Sequence, residues 1–315
     1  MIAAQFRKAQ RQKVKASIMI EGLQGSGKSG LALAIASVLE SSQDKIFAID
    51  TENKSLDLFS DYKLHTGVKL ENFNKADITK DDGYAPSNYD ALRTLAINEG
   101  AEVLIMDSIS HMWNRKGGLL DTVAEAQQAG LDQYRSWGTD KNRTEKELIF
   151  DLVRSDKLHT IVTVRSKEKF GMELDETKGK NKVVSLGEQQ IQQEGLKYEP
   201  DLVIRMISPG DTKGKNPVGL ILKSRYPIFT VDTEYEFTPE ILQQLKSYLE
   251  EGVDSDVLLE QQKKDYIKAI KEYCAGSQAK KSIWANLKEQ EGYTGKIEDI
   301  PLEVLKILYR KLVSE

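Results

Sequence analysis

The chain has 315 residues, with 45 Lys+Arg against 49 Asp+Glu, a formal net charge of −4 and a sequence pI near 5.7. That balance excludes a protein held to nucleic acid by bulk positive charge, and 39% hydrophobic with 30% charged residues excludes wholesale compositional disorder. One cysteine, Cys274, and three histidines leave no intrachain disulfide and make a Cys/His structural zinc site implausible.

The opening stretch, MIAAQFRKAQRQKVKAS, has no apolar core of a secretory signal, and no run approaches the ~18 apolar residues of a membrane span. A cytoplasmic protein without membrane anchoring is expected. This lead-in carries Arg7, Lys8, Arg11, Lys13 and Lys15 with no acid before Glu21. Further on, short apolar runs alternate with helical patterns, the signature of an α/β domain with a largely parallel sheet. The runs are 17–21, 45–50, 103–107, 159–165, 201–207 and 218–223. Several are rich in Ile and Val without alternation, as strands buried on both faces should be. Helices are predicted over 29–39, 89–98, 118–128 and 144–154. After Phe237 the texture changes: Thr238-Pro239-Glu240 opens a helix to about Glu251. A linker at 252–255 then leads to a helical tail. There Tyr266, Ile267, Ile270, Tyr273 and Cys274 form one apolar stripe, and Leu302, Leu305, Leu308 and Leu312 form another. From Thr238 onward 12 basic and 14 acidic residues occur, so the tail is no basic nucleic-acid arm; it reads as a small packing or protein-contact module. The expected division is 1–252 and 253–315.

The decisive motif is Gly22-Leu23-Gln24-Gly25-Ser26-Gly27-Lys28-Ser29, which satisfies G-x-x-x-x-G-K-[ST] between an apolar strand and an apolar helix. Glycines let successive N–H groups turn inward around phosphate oxygens at a helix N-terminus. Lys28 supplies a point charge for the β/γ-phosphates, and the Ser29 hydroxyl can ligate Mg²⁺. The nucleotide-binding candidates are therefore Gly22, Gln24, Gly25, Ser26, Gly27, Lys28, Ser29 and Gly30. Asp107 ends a buried strand, where open α/β sheets bind ligands, and is the second magnesium-side candidate beside Ser29; an ordinary turn Asp is the competing reading. Glu52 lies one helix and one strand after Lys28, so it can return to the same sheet edge and polarise an attacking water. Holding Mg²⁺ or capping a loop is its alternative role, while Asp50 suits loop support. Arg165 leads a polar Arg-Ser-Lys exit and is a γ-phosphate sensor candidate, with plain surface solvation as the rival. Lys223 and Arg225 face the same way at i and i+2. They would duplicate Lys28 at their own loop, so they fit better as charges supplied to a neighbouring subunit; a solvated pair is the alternative.

This order, a P-loop, then IDTE, LIMDS, a strand ending in RSK, and KSR, resembles the RecA-like ATPase core. With FRKAQRQKVK, IDTENKS, DSISHMW followed by GGLLD, TVRSKEKF and GLKYEPDLVIRM, it most resembles the phage and prophage RecA-like ATPases of single-strand annealing and recombination, an AAA-type ATP-binding group. The likeness spans about Phe6 to Glu250. It implies a RecA-like P-loop NTPase core with a mainly parallel sheet flanked by helices, ATP and Mg²⁺ as cofactors, and a water-activating role for Glu52. It also implies Lys223 and Arg225 completing the adjacent subunit's site in a ring or filament. The tail inherits no role from the likeness.

Single-stranded DNA is the implied partner. Besides Arg7, Lys8 and Arg11, the candidates are Lys178, Lys180 and Lys182 in the long polar segment 168–195, because RecA-like proteins place DNA-binding loops there. Glu173, Asp175 and Glu176 beside these lysines, and the scarcity of aromatics, keep a flexible oligomer-contact hairpin open as an alternative. Two rival functions also stand: a nucleotide-regulated assembly protein acting through its helical tail without DNA, and a small-molecule P-loop kinase.

Overall fold

The computed structural model describes residues 9–175, 180–193, 195–210 and 215–314. In chain order it forms β1 (Ser17–Gly22), α1 (Lys28–Leu39), β2 (Ile46–Asp50), β3 (Asn74–Asp77), α2 (Pro86–Asn98) and β4 (Val103–Asp107). There follow α3 (His111–Asn114), α4 (Leu119–Gln128), α5 (Gln133–Trp137), α6 (Asp140–Leu152), β5 (His159–Asp175) and β6 (Lys180–Gln190). The chain continues through β7 (Leu202–Ser208), β8 (Val218–Ser224), β9 (Glu234–Glu236), α7 (Pro239–Glu250), α8 (Ser255–Cys274), α9 (Gln278–Gln290) and α10 (Leu302–Ser314).

A nine-stranded sheet runs β3-β2-β4-β5-β1-β7-β8-β9, with β6 paired to β5 off that path. Its centre is parallel: β1 lies between β5 and β7, and β4 between β2 and β5. β8 and β9 add antiparallel strands at one end. The strands with uninterrupted apolar character are those buried on both faces. Ile18 and Ile20 of β1 point with Ile105, Ile161 and Ile204 toward α1 and α7. Met19, with Leu104, Met106, Val162 and Val203, points the other way against Tyr89, Met112, Val123, Ile149 and Leu152 of the helices following β3 and β4. α1 is buried around most of its surface, as its nearly unbroken apolar run predicts.

The segment 168–195, for which the sequence leaves a DNA-binding loop and a hairpin both open, is largely a β-hairpin. β5 continues past the sheet edge to Asp175, and β6 returns antiparallel to it. Apolar residues recur at alternate positions, Phe170, Met172 and Leu174, and ladder pairing satisfies a backbone that a loop would leave to solvent. The short strands β3 and β9 also escape a pattern search, since neither carries an apolar run. Helix α6 starts earlier than predicted, because the Thr139 hydroxyl accepts the Asn142 N–H and caps it.

The chain divides into two compact units, one of residues 14–249 and one joining the N-terminal residues through Lys13 to the segment from Glu250 onward. In the larger unit the chain enters and leaves side by side, with Val14 N donating to Leu249 O at 3.1 Å. In the smaller unit α8, α9 and α10 surround Ile270, Cys274, Leu287, Ile300, Leu305, Leu308 and Leu312, so both predicted apolar stripes share one core. Its N-terminal part is knitted to residues 251–254: Lys13 N donates to Val253 O, Val253 N donates to Arg11 O, and Arg11 pairs with Glu251 at 2.9 Å. Gly252, at φ 114°, allows this approach, since a Cβ there would meet the Arg11 carbonyl oxygen at 2.7 Å. Among the described residues, no helix is long and apolar enough to cross a membrane.

Candidate nucleotide site at the P-loop edge of the sheet

Strand register assembles the site. Gly22, the last residue of β1, is level with Arg165 of β5, and Asp50 of β2 is level with Asp107 of β4. The ends of β1, β2 and β4 and the Arg165 level of β5 therefore converge where the loop between β1 and α1 turns. Gly27 caps α1 at φ 89°, and a Cβ there would lie 2.6 Å from the Pro209 Cβ. Gly22 is equally tight, with 2.7 Å available before the Ser26 hydroxyl. That Ser26 Oγ is buried without a hydrogen-bond partner. A backbone this constrained, turned inward at a helix start, suits phosphate oxygens.

Lys28 is 9% exposed and donates through Nζ to Gly22 O at 3.1 Å and Leu23 O at 2.8 Å. Burial lowers its pKa, opposed by the negative charges of Asp107 and Glu52. The Ser29 hydroxyl donates to Asp107 Oδ2 at 2.5 Å, and Thr163 donates to Asp107 Oδ1 at 2.5 Å. Burial pushes the Asp107 carboxyl above its ordinary value, and these two hydroxyls work against the shift. A hydroxyl and one carboxylate side by side fit Mg²⁺, which takes few protein oxygens and leaves the rest to phosphate and water. Among the described residues no group of three or more His, Cys, Asp or Glu forms a self-contained metal cage.

Glu52 stands beside this pair. Its Oε1 accepts from Ser108 Oγ at 2.8 Å and from Arg165 Nε at 2.6 Å, and its Oε2 accepts from Arg165 Nη2. Burial disfavours the carboxylate, but the hydrogen bonds from Arg165 and Ser108 outweigh it and hold Glu52 below the usual range. Arg165 is raised in turn, chiefly by Glu52. Asp50 supports the loop, accepting the N–H groups of Glu52 at 2.8 Å and Leu56 at 2.9 Å. Thr51 braces the two strand ends: its N–H donates to Asp107 O, its hydroxyl accepts from Ser108 N, and His111 Nδ1 lies 2.9 Å from that oxygen. Burial drops the His111 pKa to about 4, so the ring is neutral near pH 7.

Strand register, these contacts and the mutual charge effects among the groups place Lys28, Ser29, Asp107, Glu52 and Arg165 in one cluster, while Gly22, Gln24, Gly25, Ser26, Gly27 and Gly30 shape the loop or the start of α1. A family model described as an AAA domain matches residues 14–226, more than half of the chain. The chain belongs to the AAA domain family. An AAA domain is an ATPase-type, nucleotide-binding module, and the site just described occupies the matched span. No curated protein matches the chain.

Other candidate residues of this AAA domain lie elsewhere. β8 runs antiparallel to β7, so Lys223 is level with Val203 and Ser224 with Leu202, near the start of β1 and away from its P-loop end. Lys223 Nζ donates to Tyr198 O and Pro200 O, both at 2.5 Å, and Arg225 pairs with Asp201 at 2.8 Å. Lys223 also lines a cavity of about 920 Å³ with Glu21, Gln190, Lys197 and Arg205, outside the phosphate loop. Of the DNA candidates, Arg7, Lys8 and Lys178 lie outside the described residues. Lys180 and Lys182 fall on β6, in register with Asp175 and Glu173, and Arg11 is paired with Glu251.

Sequence reasoning missed Thr51, Ser108 and Thr163. Each carries a signal in hindsight: a hydroxyl at or beside the end of an apolar strand needs a polar partner when buried.

Proposed function

We propose that the chain is a Mg²⁺-dependent ATPase that works as a RecA-like oligomer on single-stranded DNA in phage or prophage recombination or strand annealing. The observation that carries the hydrolytic part is the alignment of Glu52 beside the Ser29–Asp107 pair at the P-loop. Here backbone N–H groups of the loop and the Lys28 ammonium would hold phosphate oxygens, and Ser29 and Asp107 would hold Mg²⁺, which would supply charge neutralisation for the phosphate oxygens. Glu52 accepts the proton of the attacking water, and Arg165 is the cation poised for the terminal phosphate.

The resemblance to RecA-like recombinases supports the finer parts of this reading. Lys223 and Arg225 lie away from their own phosphate loop, as charges serving a neighbouring copy must. The expected substrate strand is held locally, because the net charge of −4 supplies no general attraction.

The test is ATP turnover with and without single-stranded DNA, alongside Glu52→Gln. The wild-type chain hydrolyses ATP faster with the oligonucleotide, and E52Q keeps nucleotide binding while losing turnover. Retained turnover in E52Q removes Glu52 as the base. Hydrolysis indifferent to DNA, with no salt-dependent shift of a labelled oligonucleotide in any nucleotide state, favours a nucleotide-regulated assembly protein instead.

A further inference from the structure

Where β5 leaves the sheet, its alternation continues. Val162 and Val164 join the core on the face of Met19 and Val203, while Thr163 and Arg165 turn to Asp107 and Glu52. Ser166 and Glu168 follow on the face of the two valines. Across the ladder Ser166 is level with Gln190, and Glu168 with Glu188. Side chains directly opposite in an antiparallel pair share a face, with Cβ atoms about 5 Å apart. The root of the hairpin therefore gathers two carboxylates, an amide and a hydroxyl on one face.

Two features of this set run against ordinary packing. Like charges directly opposite each other on a ladder repel. Ser166 Oγ, Glu188 Oε2 and Gln190 Oε1 are also buried without a hydrogen-bond partner, and Ser166 as a whole is only 8% exposed. Buried polar atoms normally find partners, so unmet oxygens beside a facing carboxylate pair call for a cation. The positive side chains nearby serve other groups. Arg165 is bound to Glu52, Arg205 donates to Glu21 at 2.8 Å, and Lys223 donates to the Tyr198 and Pro200 carbonyls. Lys197 lies over the Tyr198 ring, and Lys167, level with Gln189, falls on the other face of the hairpin.

We propose that Glu168, Glu188, Gln190 and Ser166 form a site for a hard divalent cation, separate from the Ser29–Asp107 pair. Every donor is an oxygen, without the sulfur or imidazole that softer metals favour. A divalent ion balances the two carboxylates. Water completes its shell, reaching Glu188 and Gln190 from the cavity of about 920 Å³ that they line. The ion replaces repulsion across the ladder by a shared counter-charge and ties β6 to β5 where the hairpin leaves the sheet. The site requires no nucleotide and stands apart from the reading of Glu52.

The test uses the nucleotide-free chain and Mn²⁺, whose free form is counted by electron paramagnetic resonance. The wild-type chain takes up Mn²⁺ saturably, and excess Mg²⁺ or Ca²⁺ displaces it. E188Q weakens uptake at least about 10-fold, since even outer-shell partners of a metal ligand carry that much affinity. The S29A/D107N variant, which lacks the phosphate-loop pair, keeps the uptake. Melting curves supply a second readout: Mn²⁺ raises the melting temperature of the wild-type chain but not that of E188Q. With a chelator E188Q melts no lower than the wild type, because it removes one of two facing like charges. Uptake that survives E188Q and disappears in S29A/D107N assigns the ion to the phosphate loop and overturns the proposal. So does the absence of saturable uptake in the wild-type chain, or an equal rise in melting temperature for both. If E188Q fails to fold, E168Q is read in the same way.

Discussion

Replacing Gly27 by alanine makes two demands on the phosphate loop that can be separated. At φ 89° an L-residue occupies the left-handed region, at roughly 1–2 kcal/mol. The added methyl also lands 2.6 Å from Pro209 Cβ and 2.7 Å from its Cα, against an ordinary separation of about 3.5–4.0 Å, and relieving such overpacking costs about 1–3 kcal/mol. G27A should therefore lose about 2–5 kcal/mol. For a domain of this size that lowers the melting temperature by roughly 5–15 °C. Gly25 is the control, since at φ 78° it has nothing within 4 Å of a built Cβ. G25A meets only the backbone demand of about 1–2 kcal/mol. Thermal and urea unfolding of the two variants give the difference directly. Equal destabilisation of G25A and G27A would show that Pro209 yields freely and that its contact does not set the loop.

Acid sensitivity follows from His159, whose Nδ1 accepts the Ala16 N–H at 2.9 Å and whose pKa burial lowers from 6.5 to about 4. Below 6.5 the unfolded chain binds the extra proton, so the stability this ring contributes is complete above pH 6.5 and is lost as pH falls toward about 4. The loss is about 3 kcal/mol, and H159N, which keeps an acceptor but cannot titrate, should flatten that limb of the pH–stability curve. If Lys223 and Arg225 serve a neighbour's site, mixing a Lys28 variant with a K223A/R225A variant restores part of the ATPase rate; confirmed mixed oligomers without recovery rule that arrangement out.

The parts of this fold that a sequence exposes are those governed by local rules. Five of the six apolar runs became parallel strands because a parallel sheet covered on both faces needs unbroken apolar character, while the sixth, β8, is an antiparallel strand buried at alternate positions; the glycines of the phosphate loop are dictated by backbone space. Glu52 and Asp107 were legible because each ends such a run. Pairing was not. Nothing in the order of residues says that β5 lies between β4 and β1, and only that neighbourhood brings Arg165 to Glu52 and Thr163 to Asp107. The hairpin of β5 and β6 was legible only as an alternative, for a related reason: its alternation is weak beside the charged residues that fill it, and a polar strand looks like a loop until its partner is known. Lys223 and Arg225 were read correctly as cations at a strand's end, but the edge on which that end falls depends on the antiparallel turn into β8.

The side-by-side entry and exit of the larger unit, Val14 against Leu249, has a topological consequence. Those residues occupy the place of two neighbours in a continuous chain, so the 14–249 segment has the connectivity of an insert threaded through a single doorway. Tension applied through the flanking segments would first load the few backbone contacts at and just outside that doorway. For the same reason the segment is suited to excision, or to circular permutation with its old ends joined by a short linker.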